Sequence, residues 1–569
     1  MNPETKTCQN CKNNFVIEVD DFVFYEKINV PPSIFCPECR MKRRMIWRNV
    51  RSLFRRECGL CKKTIISMYK DDGAPVFCLD CYSSDNWDQF KYAEGVNWQE
   101  NIFSQINNLL KKQPRQYQHR FGNVVNSDYG NSVVNSKNAY MCFSLIDCED
   151  VMFSENIDKT RNSLDCFSCS DLDGCYQNIL SHGNYNSYYM HSSSSCIDSS
   201  FLYDCVNCQN CCLSSNLRNG QYYFNNQKLS KEDYKKAVEE LKLNSYEGVK
   251  QAKEYFDTEI YKSAIHKYAN IISSDNVVRD YVTNSKNVFK SFDVSAESED
   301  IRYSNRIIKS KDMMDIFAVL SGELAYDCIA PSNGSRQIVC IFCIGSKNIE
   351  YSLFCKNSSD CFACVGLNNA KYCILNKQYS KEEYEELSPK LKELMNNNPY
   401  IDSKNRIYKY GEFYPFEMCP FGYNETVALD YVPVSKEEAI TMGYPWYDRE
   451  KRDYAVTLNS ADLPDSINDV DSSILNETIS CPNDGHAQFQ CTSAFRITPE
   501  ELQFYQIKKI PLPRFCPNCR HYERLNYRNA MKLYDRECSN NCGTTFKTTY
   551  SSDKDLKVYC EKCYQKEVL

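Results

Sequence analysis

Tryptophan and histidine are scarce here, with 4 Trp and 6 His among 569 residues. So few, scattered histidines leave little from which to build a His-based catalytic centre. Glycine is low as well, at 18, and neither a Gly-rich phosphate loop nor a nucleophile-elbow motif occurs. No run of about 18 apolar residues is present to span a membrane. The opening stretch, MNPETKTCQNCKNN, lacks the apolar core of a secretory leader. Charge of one sign is missing too: the formal net charge is −7, so any pull on nucleic acid has to be local. These absences predict a cytoplasmic chain with no membrane association and no evident small-molecule substrate.

Cysteine is abundant, at 34 residues. In a reducing compartment cysteines bind metal more often than they pair as disulfides. Cys8/Cys11 with Cys36/Cys39, and Cys58/Cys61 with Cys78/Cys81, are successive C-x2-C knuckles. Two such knuckles supply the four thiolates of a closed tetrahedral zinc site, which leaves no open position for a catalytic water. The runs FVIEV to FVFYE, and TIISMY to PVF, predict hairpins between the knuckles. The C-terminal region repeats the device with Cys491, Cys516 and Cys519, then Cys538, Cys542, Cys560 and Cys563. Gln488 stands where Cys8 would be, so Cys481 is the expected fourth ligand there and His486 the alternative. About four structural Zn2+ ions follow from two sites at each end.

Ten Lys/Arg lie between residues 36 and 63, against Glu38 and Glu57. A helix over Met41 to Arg51 would align Arg40, Arg44, Arg48 and Arg51 on one face, with Arg43 and Arg55 nearby. Arg520, Arg524, Arg528 and Lys532 repeat that spacing. Two readings stay open: a phosphate-gripping stripe for RNA or DNA, or arginines packed around their own modules.

The middle duplicates. NSKNA at Asn135 returns as NSKNV at Asn284, and LSKEDY returns as YSKEEY, at offsets of 149 and 150 residues. Short hydrophobic beats alternate with Asn/Asp/Ser/Gly turns at steps of 10 to 15 residues, predicting a β-solenoid. Its cysteines suit a narrow apolar interior, and the dense group Cys205, Cys208, Cys211 and Cys212 leaves a metal or iron–sulfur site as the alternative. Ser230 and Ser380 resemble helix N-caps. The fold class expected is mainly β and multidomain, with paired treble-clef/zinc-ribbon modules at both termini flanking a duplicated Cys/Asn/Ser-rich β-solenoid with capping helices. The expected organisation is tandem zinc modules over 1–85, a helical linker over 86–122, solenoid halves over 123–228 and 271–378, and a helical segment over 229–270 between them. A helix and aromatic irregular segment (379–447), an acidic linker (448–478) and tandem zinc modules (479–569) follow.

The segments FCPECR, FRITPEELQFYQIKKIPLPRFCPNCRH and KYCILNKQYSKEEYEEL resemble a probable zinc-ribbon domain family, the uncharacterised zinc-ribbon/treble-clef repeat proteins of uncultivated small-genome bacteria. The resemblance implies zinc at Cys11, Cys36, Cys39 and their C-terminal counterparts, and it implies no activity. Asp147, Asp150, Asp165, Asp171 and Asp173 give a carbohydrate-active enzyme some basis, although acids in turns are also structural. The function expected is a non-catalytic zinc-stabilised scaffold contacting nucleic acid through its arginines, the alternative being a protein-interaction scaffold with purely structural zinc caps.

Overall fold

A backbone device recurring every three residues shapes the middle of the chain. In the computed structural model, which describes residues 2–278, 280–448, 454–486 and 489–569, every third residue from Asn135 to Asn225 has a positive φ, and so does every third residue from Asp300 to Leu375. The left-handed region costs an ordinary L-residue about 1–2 kcal/mol, and Asn, Asp and Gly enter it most readily. That preference explains the Asn- and Asp-rich composition of these segments.

The residues two places before these corners point inward. Val133, Ser136, Ala139, Cys142, Leu145, Cys148, Val151, Ser154 and Ile157 are all buried. Small hydroxyls and thiols fit because each one closes local hydrogen bonds. Ser154 Oγ donates to Met152 O at 2.9 Å and accepts from Cys166 N at 3.0 Å. Cys142 Sγ does the same with Tyr140 O at 3.3 Å and Ser154 N at 3.4 Å. A buried polar group satisfied in this way escapes the desolvation penalty.

The result is parallel pairing in a 12-residue register. Asn131, Phe143, Glu155 and Phe167 are successive partners. Lys311, Glu323, Ser335, Lys347, Ser359 and Lys371 form the corresponding row of the second segment. Both ladders finish alike. An antiparallel hairpin pairs Tyr223–Phe224 with Gln227–Lys228, or Lys371–Ile374 with Lys377–Gln378, and a helix follows, Lys231–Glu240 or Lys381–Asn397. Ser230 and Ser380 cap these helices, accepting from the N–H of Asp233 and Glu383. Among the described residues strand exceeds helix, 30% against 24%, so the fold is mainly β.

The chain divides into two compact units. The first joins residues 1–118 to 269–447; the second joins 119–268 to 448–569. Each unit therefore combines one cysteine-rich terminal region with one ladder, and the N-terminal region belongs with the ladder that is later in sequence.

The terminal regions differ from the expected hairpins in three ways. FVFYE lies in the helix Val19–Ile28, where Asp21 accepts from Glu18 N at 3.0 Å and Asn29 ends the helix in the left-handed conformation. The hairpins wrap each leading knuckle instead: Glu4–Thr7 pairs with Asn14–Ile17 around Cys8/Cys11, and Phe54–Glu57 with Thr64–Ser67 around Cys58/Cys61. Val76–Phe77 takes Arg115–Gln116 as a parallel partner. The arginine-bearing helix runs over Pro37–Met45, so Arg48 and Arg51 lie beyond its end. The C-terminal region repeats this plan with helices Pro499–Lys508 and Pro517–Leu525 and the hairpin Tyr534–Glu537/Thr545–Thr548.

In the first unit the aromatic segment packs on the ladder. Gly411 N donates to Tyr351 Oη at 2.7 Å, and Tyr414 Oη donates to Val339 O at 3.3 Å. In the second unit, Leu463, Ile467, Val470 and Ile474 are buried beside Leu502, Tyr505 and Leu512.

Candidate metal centres

Four groups of four cysteines bring their sulfurs within 4.8 Å of one another: Cys8, Cys11, Cys36, Cys39; Cys58, Cys61, Cys78, Cys81; Cys481, Cys491, Cys516, Cys519; and Cys538, Cys542, Cys560, Cys563. Local structure explains the convergence. The first pair of each group sits on the hairpin knuckle. The third cysteine is a helix N-cap with extended backbone, as Cys36, Cys78, Cys516 and Cys560 all show, and the fourth lies in the first turn. Backbone amides aim at the sulfurs: Cys36 N donates to Cys8 Sγ at 3.2 Å, Cys78 N to Cys58 Sγ and Cys516 N to Cys481 Sγ, both at 3.3 Å. Asn10 Nδ2 and Asn483 Nδ2 add donors to Cys39 and Cys519 at 3.4 and 3.1 Å.

The spacing suits a tetrahedral ion. Bonds of about 2.3 Å from zinc to sulfur set S···S edges of about 3.8 Å, whereas a disulfide needs about 2.05 Å. The separations are 3.7 Å for Cys11–Cys36, 3.9 Å for Cys61–Cys78, 3.7 Å for Cys481–Cys519 and 3.7 Å for Cys542–Cys560. Cys481 completes the third group, while the His486 ring packs at a tilt against Phe489, centroids 5.4 Å apart. Gln488 lies outside the described residues.

The ladder cysteines have a different chemistry. Burial pushes the Cys148 and Cys169 thiols up to about 12 and Cys175 to about 11, so they stay protonated at neutral pH. Among the described residues, Cys205, Cys208, Cys211 and Cys212 join no group of three or more converging ligand atoms, and all four are buried in the ladder.

The expected arginine stripe is turned inward. In the first unit Arg40, Arg43, Arg44 and Arg48 are buried. Arg43 reaches Asp327 at 2.7 Å and Glu412 at 2.9 Å, and Arg44 reaches Asp315 at 3.0 Å and Asp327 at 2.9 Å. Arg40 Nε lies 2.8 Å from Asp315, as an ion pair rather than an aligned hydrogen bond, while its Nη1 donates to Phe35 O. Arg48 sits over the Phe317 and Phe342 rings. In the second unit Arg520 and Arg524 are buried, Arg520 against Glu501 at 3.2 Å and Arg524 against Asp165 at 2.7 Å. Arg51 and Arg528 are half-buried, and Arg55 and Lys532 are exposed. Only Arg40, Arg43 and Arg44, and Arg520 and Arg524, lie on the helices, and buried carboxylates, Asp165, Asp315 and Asp327 of the ladders with Glu412 and Glu501, occupy their partner side.

Of these carboxylates the sequence reading named only Asp165, and in another role; their pairing with the arginines escaped it, although a signal existed. Adding 150 to Asp165 gives Asp315, and adding 480 to Arg524's counterpart Arg44 returns Arg524. Both Asp165 and Asp315 stand at left-handed corners. The remaining acids of the enzyme reading serve turns: Asp150 accepts from Asn138 at 2.7 Å and Asp173 from Asn162 at 2.9 Å, while Asp147 and Asp171 occupy corners.

No family model matches the chain, and no curated protein is significantly similar to it. Among the described residues, no helix is long and apolar enough to cross a membrane.

Proposed function

We propose that the protein is a non-catalytic binding scaffold in which structural zinc holds a treble-clef module pair at each end, and the arginines of each pair lock it onto one half of a duplicated β-solenoid. The helices after each last rung are caps for the solenoid ends, covering strand edges that would otherwise pair between molecules. Thiolate zinc sites of this kind belong in a reducing cytoplasm, and protein partners on the exposed ladder faces are the expected ligands.

The observation that carries this reading is the pairing of Arg40, Arg43, Arg44, Arg520 and Arg524 with buried carboxylates. A guanidinium so engaged is not available to a phosphate, which moves the balance from nucleic acid to protein interaction.

The test is zinc content by mass spectrometry together with RNA and DNA binding across a salt series. Four zinc ions per chain with no steep salt-dependent binding is the expected result. Affinity that falls steeply with salt, and that Arg55→Glu with Lys532→Glu abolishes, would return the protein to the nucleic-acid class.

A further inference from the structure

The first unit carries a cleft of about 500 Å³ between the helix Val19–Ile28 and the first rungs of its ladder. Asp20, Val23, Phe24 and Lys27 line one wall; they share one helix face at i, i+3, i+4 and i+7. Val278, Phe289 and Arg302 line the other, with Asn276, Asn287, Asp300 and Asp312 as the floor. Large apolar side chains remain open to solvent here: Val23 is 59% exposed and Val278 39%.

The charge at the cleft is acidic among the described residues. Its two bases are already engaged, Lys27 with Asp312 at 2.8 Å and Arg302 with Asp21 at 2.6 Å. Asp300 accepts from Asn287 Nδ2 at 2.9 Å, and a carboxylate offers about four lone-pair sites, so it has capacity for further donors. Asp20 holds Arg302 Nη1 at 3.4 Å, yet its side chain is 78% exposed and keeps lone-pair sites for a further donor. The strand Asp275–Val278 is also an edge, because among the described residues its one strand partner is Lys286–Phe289.

The second unit keeps acids at the places of Asp20 and Asp300, Glu500 and Asp150, but lacks the rest of the cleft wall: Gln503 stands in place of Val23, Ile507 in place of Lys27, Met152 in place of Arg302 and Asn162 in place of Asp312.

We propose that the cleft docks an extended peptide segment of a protein partner, its apolar side chains between Val23 and Phe289 and its basic side chains on Asp20 and Asp300. Strand addition at an open edge supplies main-chain hydrogen bonds, and alternate side chains then fall on one side, where the cleft reads them. This inference rests on the scaffold reading and names the kind of partner it takes.

The experiment uses zinc-loaded full-length protein and fluorescence anisotropy of a labelled Val-Lys-Val-Arg-Val-Lys-Val peptide, with Val-Glu-Val-Glu-Val-Glu-Val as the counter-probe. Binding of the basic peptide alone is expected, weakened tenfold or more by Asp20→Lys with Asp300→Asn, and likewise by Val23→Asn. Gln503→Asn, at the place of Val23 in the second unit, should leave it unaltered. No binding, equal binding of the acidic peptide, or indifference to the cleft variants would overturn the proposal. Zinc content and melting temperature are read on the same samples. Four zinc ions and a normal melt without peptide binding would sink the cleft alone, whereas removing zinc without lowering the melting temperature would sink the scaffold reading.

Discussion

Arg524 Nη1 lies 2.7 Å from Asp165 Oδ1 across 359 residues of chain, and Arg44 meets Asp315 at 3.0 Å in the other unit. Arg524 also donates to Phe153 O, and Arg44 to Tyr303 O, again 150 residues apart along the ladders. Tyr505 meets Tyr176 edge-on at 5.9 Å as Tyr25 meets Tyr326 at 5.5 Å. Module and ladder were thus duplicated together with their contact. Removing one partner of a fully desolvated pair strands the other charge, at a cost of about 3–5 kcal/mol. Asp165→Ala should accordingly lower the stability of the second unit by that order in urea unfolding. Asp165→Leu with Arg524→Met, which leaves Arg520 on Glu501, should recover most of the loss. Equal damage from single and double variants would mean the charges do not act as a pair.

Zinc should leave the four sites at different rates. All four cysteines of Cys481, Cys491, Cys516 and Cys519 are buried, while Cys11, Cys61 and Cys542 are exposed in their groups. A chelator attacks first where a thiolate meets solvent. Native mass spectrometry during a chelator time course should therefore show an early loss from the Cys8, Cys58 and Cys538 sites and a late loss from the Cys481 site. Cys61→Ser or Cys542→Ser should each remove one early ion and no late one. Simultaneous loss of all four would contradict the exposure argument.

The cysteine groups were legible because metal geometry constrains sequence spacing tightly: Cys8, Cys11, Cys36 and Cys39 converge as C-x2-C pairs must. The 150-residue duplication was legible for a similar reason. The three-residue corner was not, because left-handed positions accept several residue types. Asn138 and Asp150 advertise the corner, but Phe153, Tyr189 and Phe201 occupy it too. These bulky exceptions accept strain where they pack on a docked element: Arg520 lies over Phe153 at 4.8 Å, and Phe256 packs against Phe201. The arginines misled because a helical stripe of charge looks the same whether it faces water or buried aspartates; only the long-range partner separates the two.

Two buried histidines should make the second unit acid-sensitive. Burial pushes His191 down to about 3 and His266 to about 4. His266 Nε2 donates to Tyr261 O at 3.0 Å, so in the neutral ring Nδ1 accepts from Tyr203 Oη at 2.7 Å, and His191 stacks on Tyr261 at 5.3 Å. The unfolded chain binds these protons near pH 6.5. The unfolded state therefore holds more protons below that value, and this stability is complete above about pH 6.5 and is lost as pH falls toward about 4. Melting temperature measured between pH 7 and 5 should fall less steeply in His266→Gln and His191→Phe than in the parent. Zinc release also lowers stability in acid, but it is common to all three proteins, so the difference in slope isolates the histidines. Identical slopes would rule out neutral, buried rings.

The interleaved order of the units makes a further prediction about a broken chain. Residues 1–118 are folded with 269–447, and 119–268 with 448–569. A single cut at the exposed Lys242, between helices Lys231–Glu240 and Tyr246–Tyr255, leaves two fragments that each contribute to both units. Nothing covalent then joins them, yet each unit still buries its arginine–aspartate contacts, its shared aromatic core and its ladder. A protease site placed after Lys242 should give fragments that co-elute on size exclusion with all zinc retained. They should separate only in denaturant, or once zinc removal loosens the modules from the ladders. Fragments that part under native conditions would show that module and ladder cohere only through the chain that connects them. The pairs Arg44–Asp315 and Arg524–Asp165 would then be consequences of folding rather than the bonds that hold each unit closed.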